Sequence, residues 1–181
     1  MTSTPILLVT INARYSHTAI GLRFLQANLG PLAAQTRIVE FSGDEDTTTM
    51  VEQLLALQPA IIGVGVYIWN VDRTVQLLET IRLVAPTVSL VAGGPEASFT
   101  PEDGPLYRAA DVLVQGEGET IVASLFADLL AGRRPPQKRV VSPVADLHTL
   151  TLPYDLYTGE DIAHRVIYVE SSRGCPFTCS F

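Results

Sequence analysis

Five short apolar runs of strand length, each followed by a helix-patterned stretch, leave this chain few folds to choose from. Pro5-Ile-Leu-Leu-Val-Thr-Ile11 is continuously apolar, as in a strand buried on both faces of a parallel sheet. Residues 36–41 form the second run. The third, Ala60-Ile-Ile-Gly-Val-Gly-Val-Tyr67, is the most apolar and is expected to be central; residues 88–92 and 110–115 are the fourth and fifth. A helix is expected over about 18–29, with Leu22, Leu25 and Leu29 on one stripe and Gly30-Pro31 as its stop. Thr49 and Glu52 stand at capping-box spacing ahead of a second helix bearing Met50, Leu54 and Leu57. A third, capped by Asn70 or Asp72, carries Val75, Leu78, Ile81 and Val84, and a last one carries Ile121, Leu125 and Leu129 up to Gly132. The alternation predicts an α/β fold: a doubly wound, five-stranded parallel sheet, flavodoxin-like or Rossmann-like, with strand order 2-1-3-4-5 expected at this length.

The 181 residues suffice for one domain of about 150 residues plus an appendage. With 47% hydrophobic and 17% charged residues the chain can bury a core, yet no stretch reaches the roughly 20 apolar residues of a membrane span. Met1-Thr-Ser-Thr-Pro5 places no basic region ahead of an apolar core, so a signal peptide is not expected and a cytoplasmic location is. A net charge of −7 argues against a nucleic-acid partner. The basic cluster Arg133, Arg134, Lys138 and Arg139 around Pro135-Pro136 reads as a solvated linker turn. These features divide the chain into a domain over 1–134, a proline-interrupted connector over 135–165, and a terminal piece over 166–181 that begins with a strand at 166–169.

In a sheet of this kind ligands sit past the carboxyl ends of the strands. Asn12, Ala13, Arg14, Tyr15, Ser16 and His17 follow the first strand, and Tyr67, Ile68, Trp69 and Asn70 the third. Gly93, Gly94, Pro95 and Glu96 follow the fourth; Gln115, Gly116, Glu117, Gly118 and Glu119 lie at the end of the fifth. Glycines let a ligand approach the backbone, helix N-termini offer free N–H groups, and four such loops on one edge suggest one large ligand. Taken singly, Gly93-Gly94 fits a turn with positive φ, and the 116–119 loop fits a strand-to-helix turn with acids placed for the helix dipole. Trp69 suits a packed core edge or a flat wall for a macrocycle. No G-x-G-x-x-G follows the first strand, and the phosphate-loop motif is absent.

Both cysteines, Cys175 and Cys179, lie in Ser171-Ser-Arg-Gly-Cys-Pro-Phe-Thr-Cys-Ser-Phe181. Their residues alone fit a pair of small buried thiols, half of a zinc site, or thiolates on an iron–sulfur cluster. The string resembles the cluster loop of the radical S-adenosylmethionine enzymes, in which three cysteines are separated by three and then two residues. That resemblance implies Cys175 and Cys179 as metal ligands of a 4Fe-4S cluster, Phe181 against the adenine of S-adenosylmethionine, and a third cysteine one position past Phe181. The chain is then expected to be the front part of a longer enzyme, with no catalytic residue of its own.

Gly93-Gly-Pro-Glu-Ala-Ser98, Gly116-Glu-Gly-Glu119 and Leu150-Thr-Leu-Pro-Tyr-Asp155 further resemble the cobalamin-binding domain that precedes the radical domain in one large class of these enzymes. This implies that the four strand-end loops hold cobalamin. Its dimethylbenzimidazole tail would be displaced from cobalt and threaded between the strand-one loop and the loops after strands four and five. It also implies methyl transfer to an unactivated carbon or a radical rearrangement, a small-molecule or peptide substrate, and an electron donor such as flavodoxin or ferredoxin. Carriers that ligate cobalt from below use the histidine of D-x-H-x-x-G; here Tyr15 stands in the aspartate's place and Gly21 lies one residue too far on, so the resemblance implies no histidine on cobalt. The alternative is a non-catalytic cobalamin-binding or flavodoxin-like sensor module with incidental or zinc-binding cysteines.

Overall fold

A computed structural model describes residues 5–174 and 177; Cys175, Cys179 and Phe181, the expected cluster and adenine contacts, lie outside the described residues. The strands are β1 (Ile6–Asn12), β2 (Thr36–Ser42), β3 (Ile61–Gly65), β4 (Ser89–Gly93), β5 (Val112–Gln115) and β6 (Arg139–Val141). They pair in parallel in the order β2-β1-β3-β4-β5-β6, so the expected order is extended by a sixth strand. The sixth falls in the stretch read as connector. Arg139, read as part of a solvated turn, holds it down by donating to the carbonyls of Ala97, Ser98 and Thr100.

The helices are α1 (Ile20–Ala27), α2 (Thr47–Ala56), α3 (Val71–Val84), α4 (Pro95–Phe99), α5 (Pro105–Ala109), α6 (Val122–Leu130) and α7 (Gly159–His164). Strand alternation sorts the core in two. Leu7, Val9, Ile62, Val64 and Leu90 face Met50 and Leu54 of α2 and Leu77, Leu78 and Ile81 of α3. Ile6, Leu8, Ile61, Val91, Val112 and Val114 face Leu22 of α1 and Val122, Leu125, Phe126 and Leu129 of α6.

Three local expectations are corrected. Helix α2 is capped by Asp46, whose carboxylate accepts from Thr48 N and Thr49 N, because the chain enters the helix three residues before the Thr49/Glu52 box. A full capping box forms at Thr158 and Asp161 of α7, within the supposed connector. Residues 166–169 make no strand; Val166 makes a single parallel bridge to His17.

Helix α7 matters because of what it carries. Arg23 of α1 reaches Glu40 of β2 at 3.1 Å and Asp161 of α7 at 3.0 Å, while Arg165 reaches the same two carboxylates at 2.9 Å each. All four side chains are at least nine-tenths buried. Burial by itself would raise the Asp161 pKa; hydrogen bonds from Thr158 and the charges of Arg23 and Arg165 overcome it and bring it down to about 2. Glu40 is lowered by the same balance, burial opposing and the two arginines prevailing. No helix among the described residues is long and apolar enough to cross a membrane.

Candidate functional site

The sheet reverses its winding between β1 and β3, and the crevice past their carboxyl ends is where a ligand is expected. Register builds the floor. Leu8, Gly63, Val91 and Val112 stand in one row across β1, β3, β4 and β5, and Thr10, Gly65 and Gly93 stand in the next. Alternation therefore puts Gly63, Gly65 and Gly93 on one face, the face under α1 and α6. All three line a cavity of about 660 Å³, within the usual range for small-molecule sites, and the trough in its floor is open at Gly93.

Ile20, Gly21, Leu22, Phe24 and Leu25 of α1 and its entry line one side of the cavity; Val122 and Phe126 of α6 line the other. At Gly63 the space of a side chain is already taken, since an added Cβ would lie 3.1 Å from Phe126 Cζ and 3.2 Å from Leu8 Cδ2. At Gly93 it is open: the same atom would meet only Val114 Cβ, at 3.9 Å. Gly94 has φ of 101°, and a Cβ there would lie 2.7 Å from Val66 O, so the turn out of β4 tolerates no side chain.

The mouth is formed by Tyr67, Gly94-Pro95, residues 116–119 and residues 168–173. Arg173 reaches Glu119 at 2.9 Å, Glu170 at 2.8 Å and Glu117 at 3.5 Å, and its guanidinium lies 4.9 Å from the Phe24 ring centroid. The hydrogen bonds to Glu170, followed by the charge of Glu119, raise its pKa further despite partial burial. Burial, then the nearby Glu119 charge, raises that of Tyr67. Tyr67 stacks on Trp69 with centroids 4.6 Å apart and planes 5° from parallel; Trp69 is 55% and Ile68 78% exposed.

Asn70 fixes this aromatic turn. Its Oδ1 accepts from Tyr67 N, and its Nδ2 donates to Ile11 O, Gly65 O and Thr10 Oγ1. It occupies the N-cap of α3 but spends its side chain on the strand ends rather than on the helix. Ser98 ties the next two loops together, donating to Gly94 O and accepting from Gly116 N.

Of the residues expected from sequence, Tyr67, Gly93, Gly94, Pro95, Gly116, Glu117, Gly118 and Glu119 come together around the cavity. Ile68, Trp69, Asn70, Glu96 and Gln115 lie at its rim without lining it. Asn12, Ala13, Arg14, Tyr15, Ser16 and His17 do not line it either. That loop is stitched to the C-terminal segment instead: Arg165 donates to Tyr15 O and His17 O, Val166 N to Ser16 O, Thr18 Oγ1 to Val166 O, and His17 Nδ1 meets the Tyr168 hydroxyl. Helix α1 forms the wall that the strand-one loop was expected to supply. Sequence reasoning missed Gly63 and Gly65, although glycine alternating with valine in one strand was a signal of a face stripped of side chains. Among the described residues no group of three or more histidines, cysteines, aspartates or glutamates is placed to hold a metal ion.

Fold and cavity together define a flavodoxin-like domain whose cavity lies past the carboxyl ends of its central strands, under α1 and α6. Residues 6–126 match the B12 binding domain model, and the chain belongs to that family. It is 28% identical over 157 residues to the anaerobic magnesium-protoporphyrin IX monomethyl ester cyclase of Rubrivivax gelatinosus, covering 72% of this chain and 28% of that protein. It is 29% identical over 151 residues to the cobalamin-dependent radical SAM methyltransferase TokK of Streptomyces tokunonensis, covering 69% and 22%. The chain thus spans about a quarter of the length of these relatives. In fold it resembles the cobalamin-dependent S-adenosylmethionine radical enzyme OxsB, solved with aqua-cobalamin bound, with a TM-score of 0.59 at 16% identity over 77% of this chain and 22% of that one.

Proposed function

We propose that the glycine trough seats cobalamin and that this domain serves an enzyme combining cobalamin with S-adenosylmethionine and an iron–sulfur cluster. The observation that carries the reading is the row of glycines on one sheet face, opening an apolar cavity beneath α1 and α6 in a chain of the B12-binding family. The residues present fit the cofactor. The trough at Gly93 is a cradle that a single Cβ would begin to fill, and the cavity entered past Gly94 and Gly116 suits the displaced tail. The flat Tyr67–Trp69 pair at the rim, anchored by Asn70, suits the edge or face of a corrin ring.

When bound, cobalamin supplies a transferable methyl group or a radical partner. The chain's own residues bind it, orient it and exclude water from its tail. The segment that closes the mouth, residues 168–173, runs directly into the cysteine loop, so Arg173 joins the proposed cofactor seat to the proposed cluster ligands Cys175 and Cys179. Residues beyond Phe181 would complete the cluster and supply the substrate site, with methyl transfer to an unactivated carbon as the leading reaction and radical rearrangement as its neighbour. The test uses the full-length gene product, reconstituted without oxygen with iron, sulfide and hydroxocobalamin and given S-adenosylmethionine and a strong reductant. The expected result is 5'-deoxyadenosine formation that disappears in Cys175→Ala and Cys179→Ala. Cleavage unaffected by those substitutions, or no cleavage at all, would overturn the radical assignment.

A further inference from the structure

We propose that the cavity selects among corrinoids by their lower base, accepting the dimethylbenzimidazole tail of cobalamin and rejecting tails that end in a purine. This rests on the cobalamin reading above and deepens it. The inner walls are Leu8, Leu22, Leu25, Val91, Val114 and Phe126, whose side chains carry no nitrogen or oxygen. The backbone groups of the floor are engaged in the parallel ladders that join β3 to β1 and β4. Of the polar side chains that line the cavity, Arg173 already holds Glu117, Glu119 and Glu170, and the Tyr67 hydroxyl reaches under α1, 3.2 Å from where a Cβ on Gly21 would lie. A base that lies against these walls therefore loses water along its edges and, among the described side chains beneath α1, finds a single hydroxyl, that of Tyr67, as a replacement partner.

Dimethylbenzimidazole suits such a slot because its outer edge is two methyl groups on a flat ring. Adenine, of nearly the same size, presents an amino group and ring nitrogens that each need a partner, and a buried polar group left unpaired is heavily penalised. The open space over Gly93, bounded by Val114 Cβ, is where a planar ring can lie against the sheet.

Equilibrium binding of the chain to hydroxocobalamin, to the adenine-tailed cobamide and to tail-less cobinamide tests this, read from retained visible absorbance after gel filtration and from tryptophan fluorescence. Cobalamin is expected to bind at least about tenfold more tightly than the adenine-tailed form, the factor that one or two unpaired polar groups produce. The adenine-tailed form is expected to do no better than cobinamide. Gly93→Leu is expected to bring cobalamin down to the cobinamide level. Val114→Thr, which offers a hydroxyl at nearly constant volume, is expected to narrow the preference and keeps the test decisive if the larger substitution fails to fold. Equal affinity for the two tails, or cobinamide binding as tightly as cobalamin, would overturn base selection while leaving corrin binding intact. Failure of all three corrinoids to bind would overturn the cobalamin reading itself.

Discussion

The two faces of the sheet are built from the same strands and could hardly be filled more differently. Under α2 and α3 every inward position is occupied: Leu7, Val9, Ile62, Val64 and Leu90 interlock with Met50, Leu54, Leu77, Leu78 and Ile81, all buried. Under α1 and α6 the central rows carry Gly63, Gly65 and Gly93, and the helices stand over a cavity. The first face supplies stability by burial and close packing. The second gives up part of that packing to keep a volume free, and α1 is held by other means as well, a buried quartet of charges linking it to β2 and α7. Helix α1 rests on the strands through Leu22 and is pinned in addition by Arg23.

The contrast can be broken at the pin. Arg23→Met removes the charge shared by Glu40 and Asp161, and removing one partner of a buried ion network costs about 4 kcal/mol. The loss is expected as a lowered urea midpoint. On the filled face Leu78→Ala is expected to cost about 3 kcal/mol, whereas Leu25→Ala, whose side chain already borders open space, is expected to cost under about 1 kcal/mol. Equal losses at the two sites would erase the distinction between the faces. At the turn the adjacent glycines separate in the same way. Gly94→Ala is expected to cost about 2 kcal/mol for its positive φ and its approach to Val66 O, while Gly93→Ala stays within about 0.5 kcal/mol in thermal unfolding.

Acid provides the mildest probe. Asp161 and Glu40 have folded pKa values below their ordinary ones, so the stability they contribute is present above about pH 4 and is lost as pH falls through the folded values, about 2 for Asp161. Between those limits amide protection of α1 is expected to decline before that of α3, as measured by hydrogen exchange.

Much of this was legible in the chain. Apolar runs bounded by glycine and proline placed five strands, and the edge at which the cavity opens followed from their parallel pairing. The sixth strand was not legible, because three residues among prolines carry no periodicity; it forms through pairing with β5 and through Arg139 reaching back to α4. The destination of the strand-one loop was hidden for a related reason. Ser16, His17 and Thr18 meet partners some 150 positions away, and no local pattern encodes such contacts. Leu22 and Leu25 were readable as a buried stripe, but a stripe does not say whether it faces packed side chains or a cavity. Only the register of Gly65 against Gly93 reveals that.

We propose the under-filled face as a corrinoid seat. Titrating the chain with hydroxocobalamin and measuring bound corrinoid per protein, for the natural sequence and for Gly93→Leu, tests it most directly. One equivalent retained by the natural chain, with quenching of Trp69, and a large loss of affinity in Gly93→Leu are the predicted results. No retention, or retention that ignores a side chain planted in the trough, would contradict it.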